Sequence, residues 1–196
     1  IPALSISLFL SANEEDVKQA MLAGYPAGQV LESRHIDEED DQELRVAFDF
    51  DGVVADDESE TIYQETHDVA KFHEYEQSHV NVPHTPGPLK DFLAKLSIVQ
   101  QLEEEKATED AKYKPKLRIS IVTARNAPSH ERVINTMRNW GITVNEAFFL
   151  GGIEKKKVLQ QLIADWSAEL AAGRCPEPIR EQLFKILFRP DKNAPE

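Results

Sequence analysis

Arg45-Val46-Ala47-Phe48-Asp49-Phe50-Asp51-Gly52-Val53-Val54 decides how this chain is read, because an apolar run ends there in two carboxylates one residue apart. Leu44 to Phe48 has the length and composition of a buried parallel strand. In open α/β sheets ligands collect beyond the carboxyl ends of such strands, so both aspartates land at a sheet edge. Residues two apart on extended backbone point the same way, which lets Asp49 and Asp51 face one site while Gly52 turns the chain away. One carboxylate can attack phosphorus while the other handles protons. A Mg²⁺ ion at Asp49 and Asp51 would then offset the charge of two carboxylates facing a phosphate. Taken alone, D-x-D-G is equally well read as a solvated turn after a strand.

Strand and helix signals alternate on either side of that run, the pattern of a parallel sheet covered by helices. Ile6 to Leu10 reads as a strand, and Ser11-x-x-Glu14 as a capping box opening a helix that stops near Gly24. Gln29 to Leu31 is a short strand candidate, and Asp37 to Glu43 a solvated acidic loop. After the central run, Glu58 to about His79 reads as one long polar helix with apolar marks at Ile62, Val69 and Phe72. Val82-Pro83-His84-Thr85-Pro86-Gly87-Pro88 interrupts it, and a second helix starts near Leu89 with Phe92, Leu93, Leu96, Val99 and Leu102 on one face. Glu103 to Lys116 reads as a surface loop. These signals divide the chain into a core, 1–54 and 117–196, and a helical cap inserted at 55–116.

Leu117 to Val122 is the next strand, and it delivers Thr123 to the same edge as Asp49. A hydroxyl followed by backbone N–H groups can hold a phosphate oxygen, and Asn126 with Pro128 marks a helix N-terminus that favours an anion. Arg125 can reach a phosphate or a ring substituent through its planar fork, or it can form a structural ion pair. The helix from Pro128 to Trp140 stops at Gly141, and Ala147 to Leu150 makes a further core strand before Gly151-Gly152. His67, His73 and His79 recur every six residues, a spacing that spreads them around a helix, so they read as surface histidines.

Composition fits one α/β domain of 196 residues. Lys+Arg 22 against Asp+Glu 35 gives a formal charge of -13, which argues against nucleic acid or an anionic membrane as partner. An anionic substrate must therefore meet local positive charge. Cys175 is the one cysteine, so no intrachain disulfide or cysteine metal cluster forms, in keeping with a reducing, cytoplasmic setting. The apolar start, Ile1 to Leu10, has no basic leader and is too short to span a bilayer. No P-loop, G-x-G-x-x-G or Ser-His-Asp order is present. Nothing in the sequence fixes an oligomeric state.

Past Gly52 the match becomes specific. D-x-D-x-V after a strand resembles the first signature of the haloacid dehalogenase superfamily, and with Asp57-Glu58-Ser59-Glu60 it resembles the corresponding block of the cytosolic 5'-nucleotidase type I family and its bacterial relatives. Ile121-Val122-Thr123-Ala124-Arg125-Asn126-Ala127-Pro128-Ser129-His130-Glu131-Arg132-Val133-Ile134 resembles that family's second motif. Asn145-Glu146-Ala147-Phe148-Phe149-Leu150-Gly151-Gly152-x-x-Lys155 resembles the third. Ser11-Ala12-Asn13-Glu14-Glu15-Asp16-Val17 also has a family-like look, so the resemblance covers about Leu8 to Leu162.

This resemblance implies a haloacid dehalogenase-like parallel sheet flanked by helices with a small helical cap. It also implies a Mg²⁺-dependent 5'-nucleotidase acting on nucleoside 5'-monophosphates. Asp49 would be the nucleophile that forms an aspartyl-phosphate and Asp51 the acid and base. Thr123 would hold the phosphate, and Lys155 would neutralise charge between Asp49 and the phosphoryl group, with Lys156 and Lys157 as neighbours that the G-G-x-x-K spacing disfavours. Glu58, Ser59, Arg125 and Asn126 would bind substrate.

The family's fourth motif, a strand ending in paired acids, is not visible after Leu162, where Ile163-Ala164-Asp165-Trp166 follows; Ile186-Leu187-Phe188-Arg189-Pro190-Asp191 is the nearest imitation. The acids can lie outside this sequence, Asp165 or Asp191 can replace them, or metal binding and activity have been lost. Two rival readings stay open: a non-catalytic nucleotide- or protein-binding relative, and a small-molecule phosphatase with another leaving group.

Overall fold

The computed structural model describes residues 5–30, 43–59, 61 and 66–151. Among these, strands β1 (Phe9–Ser11), β2 (Ala27–Gln29), β3 (Leu44–Phe48), β4 (Leu117–Thr123) and β5 (Glu146–Phe149) alternate with helices α1 (Glu14–Leu22), α2 (Val69–Ser78), α3 (Lys90–Glu109) and α4 (His130–Asn139). All strand pairs are parallel, in a β1-β2 sheet and a β3-β4-β5 sheet. The fold is therefore mixed α/β with open parallel sheets, as the alternation of signals predicts.

β3 and β4 are the central pair. Four of the five β3 positions match residues of β4 that are buried or nearly so, with Val46 opposite Ile119 and Phe48 opposite Ile121. Phe50, Val54, Leu89, Leu93 and Val133 complete one apolar cluster with these strands. Each such side chain contributes roughly 1.5–3 kcal/mol by leaving water. Register between β4 and β5 is fixed by Asn145, whose side-chain oxygen accepts from Ile119 N at 2.7 Å, and by Glu146, which accepts from Ser120 Oγ at 3.0 Å and pairs with Arg118 at 2.9 Å. Thr123 thereby lies opposite Phe149, and the three strand ends face one edge.

The helix expected over Glu58 to His79 is not continuous. His67 adopts φ 49 and Asp68 caps a fresh helix, its side chain accepting from Ala70 N at 2.9 Å and Lys71 N at 3.3 Å. An aspartate that can bind free N–H groups starts a helix more readily than it continues one. Ile62 lies outside the described residues.

The loop expected over Glu103 to Lys116 is helical as far as Glu109. Its physical anchor is Glu103, which accepts from Tyr113 Oη at 2.9 Å, Lys116 N at 3.0 Å and Leu117 N at 3.0 Å, so the charged stretch fastens the start of β4. α1 is capped by Asn13, accepting from Glu15 N at 2.9 Å, rather than by Ser11, whose hydroxyl accepts from Asn13 N and donates to Asp16. β1 and β2 begin at Phe9 and Ala27, shifted from the expected Ile6 and Gln29.

Leu89, just before α3, and Leu93 within it belong to the same cluster as the central strands. The segment leading into α3 returns beside the turn after β3: Asp56 N donates to Thr85 O at 2.9 Å, Gly87 N to Val54 O at 2.9 Å and Leu89 N to Val53 O at 2.8 Å. Gly87 is required there, since a Cβ would overlap Ala55 O and stand 2.8 Å from Val53 O.

Candidate active site

Phe48 ends β3 and the chain enters a tight loop, Phe50 to Val54, closed by Ala55 N donating to Phe50 O at 2.9 Å. Asp49 stands at its entrance, its Oδ1 accepting from Phe50 N at 2.7 Å. Gly52 takes φ 72, which an L side chain adopts only with strain, so the sharp turn expected from the sequence is real. Asp49 and Asp51 are both partly exposed at this edge.

β4 brings Thr123 to the same place. Its hydroxyl donates to Asp51 Oδ2 at 3.3 Å and accepts from Arg125 N at 3.3 Å, while its side chain is fully buried. Arg125 grips Asp51 with two nitrogens, Nε at 3.0 Å from Oδ2 and Nη2 at 2.6 Å from Oδ1. The two readings of Arg125 thus resolve toward an ion pair: its fork is spent on carboxylates rather than left open for a ligand. Asn126 is exposed beside Gly151, whose N donates to Arg125 O at 3.3 Å, and Leu150 N donates to Thr123 O at 2.9 Å. Asp49, Asp51, Thr123, Arg125 and Asn126 are therefore brought together. Lys155, its neighbours Lys156 and Lys157, Asp165 and Asp191 lie outside the described residues.

Behind Asp51 lies a buried polar network with Glu76 of α2 at its centre, 1% exposed. Arg125 Nη1 donates to Glu76 Oε2, Arg132 Nη1 to Oε1 at 2.9 Å, and Ser59 Oγ to Oε1 at 2.5 Å. His84 Nε2 stands 3.6 Å from Oε2. Burial works to raise the Glu76 carboxyl, but His84, Arg125 and Ser59 outweigh it and lower it to about 2. Arg125 is likewise opposed by burial and held above its ordinary value by Asp51 and Glu76.

Ser59, expected at the substrate, is 1% exposed with its hydroxyl committed to Glu76. Glu58 stands nearer the surface, accepting from Tyr75 Oη at 2.6 Å and lying 3.7 Å from Arg132 Nη2.

Glu76, His84 and Arg132 carry no sequence signal of function. Glu76 is one acid in a polar helix, His84 sits in a proline-rich connection, and Arg132 lies inside the second motif without an expected role.

Asp49 and Asp51 both offer carboxylate oxygens of the kind that ligate a hard cation at the loop mouth, that of Asp49 also accepting from Phe50 N and that of Asp51 from Arg125 and Thr123. A second donor set, Asp56, Glu58 and His84, has ligand atoms within 4.8 Å of one another.

A 5'-nucleotidase family model matches residues 1–167. The chain belongs to the 5'-nucleotidase family. The human protein "Cytosolic 5'-nucleotidase 1B" is 33% identical over 163 residues, 83% of this chain. The chain spans 26% of that relative's length. No solved structure matches the chain. The matched span of this 5'-nucleotidase family member includes both the D-x-D loop and the Thr123 edge. Among the described residues no helix is long and apolar enough to cross a membrane.

Proposed function

We propose that this chain hydrolyses nucleoside 5'-monophosphates to nucleoside and phosphate through an aspartyl-phosphate, on a haloacid dehalogenase-like core. The observation that carries the reading is the convergence of Asp49, Asp51 and Thr123 at the carboxyl edge of parallel strands, in a chain of the 5'-nucleotidase family. Asp49 attacks phosphorus. Asp51 gives its proton to the leaving nucleoside oxygen and then takes one from water; Thr123, one bond from Asp51, is placed to hold a phosphate oxygen. Arg125 keeps Asp51 oriented at the strand edge by a two-nitrogen grip.

Asp49 and Asp51 would hold Mg²⁺, which offsets the charge of carboxylates and phosphoryl group when bound. Lys155 supplies a second positive charge to the same group. The segment 55–116, read as a cap, contributes Glu58 toward the sugar and base, with Ser59 and Arg125 supporting from behind and Asn126 at the exposed rim. A cytoplasmic location accords with the human relative being called a cytosolic 5'-nucleotidase.

A non-catalytic nucleotide-binding reading draws on one observation, the capture of the Asp51 carboxylate by Arg125. Phosphate release from a panel of nucleoside 5'-monophosphates, with Mg²⁺ and with chelator, separates the two. The proposal expects release that chelator stops, and nucleotide binding without release by folded protein would favour the binding module.

A further inference from the structure

His84 is buried to 2% exposure; its Nε2 faces Glu76 Oε2 at 3.6 Å, beyond hydrogen-bond length, and its Nδ1 has no hydrogen-bond partner. Asp56 Oδ1 is likewise buried without one. Polar atoms taken out of water and left without a partner cost roughly 1–3 kcal/mol each, so two such groups side by side point to something that satisfies both. They are side by side because the connection before α3 pairs with the end of the Asp49 loop: Asp56 N donates to Thr85 O, and Ala55 bridges to Pro86. His84 is itself pinned by its own N donating to Thr136 Oγ1 at 3.1 Å and by the edge of the Phe50 ring.

Glu58 completes the set, each of the three residues putting one ligand atom within 4.8 Å of the others. Glu58 is steadied by Tyr75 Oη, and Glu76 faces the His84 ring at 3.6 Å, the kind of carboxylate that orients a ligating imidazole. Charge favours a cation as well. Asp51, Asp56, Glu58 and Glu76 are set against the guanidinium groups of Arg125 and Arg132 in this region, which leaves negative charge in excess.

We propose that Asp56, Glu58 and His84 bind a first-row divalent metal ion of the Zn²⁺ or Mn²⁺ type, at a site that shares no ligand with Asp49 and Asp51. One imidazole and two carboxylates suit these ions better than Mg²⁺, which favours oxygen ligands. Any adjustment needed to reach bonds of about 2.0–2.2 Å is open to the Glu58 side chain, 44% exposed.

The test titrates the untagged full chain with Zn²⁺ by calorimetry and with Co²⁺ by visible absorption, in the unaltered protein and in His84→Ala, Asp56→Asn and Asp49→Asn. Zn²⁺ should bind, its affinity should fall by about 100-fold or more in His84→Ala and Asp56→Asn, and the Co²⁺ ligand-field band should persist in Asp49→Asn. Absence of binding to the unaltered protein overturns the proposal. So does unchanged affinity in Asp56→Asn, or loss confined to Asp49→Asn. Because His84 is buried, circular dichroism checks its variant, and Asp56→Asn decides the matter if His84→Ala does not fold. No step of this test reads hydrolysis, so its failure and that of the nucleotidase reading are distinct.

Discussion

Arg125 holds two carboxylates in unlike surroundings. Asp51 sits in a loop at the strand edge with 17% of its side chain exposed; Glu76 sits on α2 with none exposed, and it also receives Arg132 and Ser59. A group meant to exchange protons with substrate must reach solvent and ligand. A group meant to hold others in place is better fixed by several partners out of water. The same guanidinium thus joins a chemical end and a structural end, and the difference is one of burial and of partner number rather than residue type.

The sharpest way to break that comparison is at the edge. Asp49→Asn should reduce phosphate release by about 10⁴-fold or more, since an amide is a poor nucleophile, and Asp51→Asn by about 10²–10⁴-fold, with nucleotide binding kept in both. Rapid-quench and binding measurements would check this. The denaturant midpoint should hardly move in Asp49→Asn and should fall less in Asp51→Asn than in a Glu76 variant; an equal fall in Asp51→Asn would erase the distinction.

At the buried end, Glu76→Ala should cost about 3–5 kcal/mol of stability by urea unfolding, because Arg125 and Arg132 lose their shared carboxylate inside the protein. Unchanged stability would mean that water replaces the carboxylate without penalty.

Acid sharpens the same point. The Glu76 pKa is lowered in the folded state, from 4.5 to about 2, so its contribution is fully present above pH 4.5 and is lost as pH falls from there toward about 2. The lost stability is on the order of 3 kcal/mol. Urea melts at pH 5 and at about pH 3 should show a loss of about 2 kcal/mol in the unaltered protein, the rest coming only at lower pH, and a much smaller loss in Glu76→Gln; equal losses would place the acid sensitivity elsewhere.

Two smaller effects test how the buried end is assembled. Gly87→Ala should cost about 1–3 kcal/mol, because the connection carrying His84 must move off Ala55 O and Val53 O. Asp68→Ala should cost about 1 kcal/mol, the usual value of a lost N-cap, and should fray the start of α2 while leaving the Asp49 loop intact. Thermal melts with hydrogen exchange on α2 would measure both.

The central strands, the turn at Gly52 and the arrival of Thr123 at the same sheet edge as Asp49 were legible in the sequence. β3 falls on Leu44–Phe48 as read, and the matched motifs lie on the β3 and β4 ends that meet at one edge. These features rest on local information: an apolar run of strand length, a glycine at positive φ, and a parallel register that brings strand ends together whatever lies between them. The break at His67 and Asp68, and the extension of α3 to Glu109, were not legible, because polar helix and polar loop share a composition and the choice fell to side-chain bonds such as those of Asp68 and Glu103.

The sequence by itself determined the parallel α/β class, the paired carboxylates at the end of β3 and membership of a nucleotidase family. Tertiary structure alone decided that Arg125 would serve Asp51 and Glu76, that Ser59 would turn inward, and that Asp56, Glu58 and His84 would meet. The hydrogen-bond partners of Glu76 lie 17 to 56 residues away along the chain. No periodicity encodes such distances. They are fixed when α2, the connection before α3 and the start of α4 pack together and leave these polar groups no water to bond.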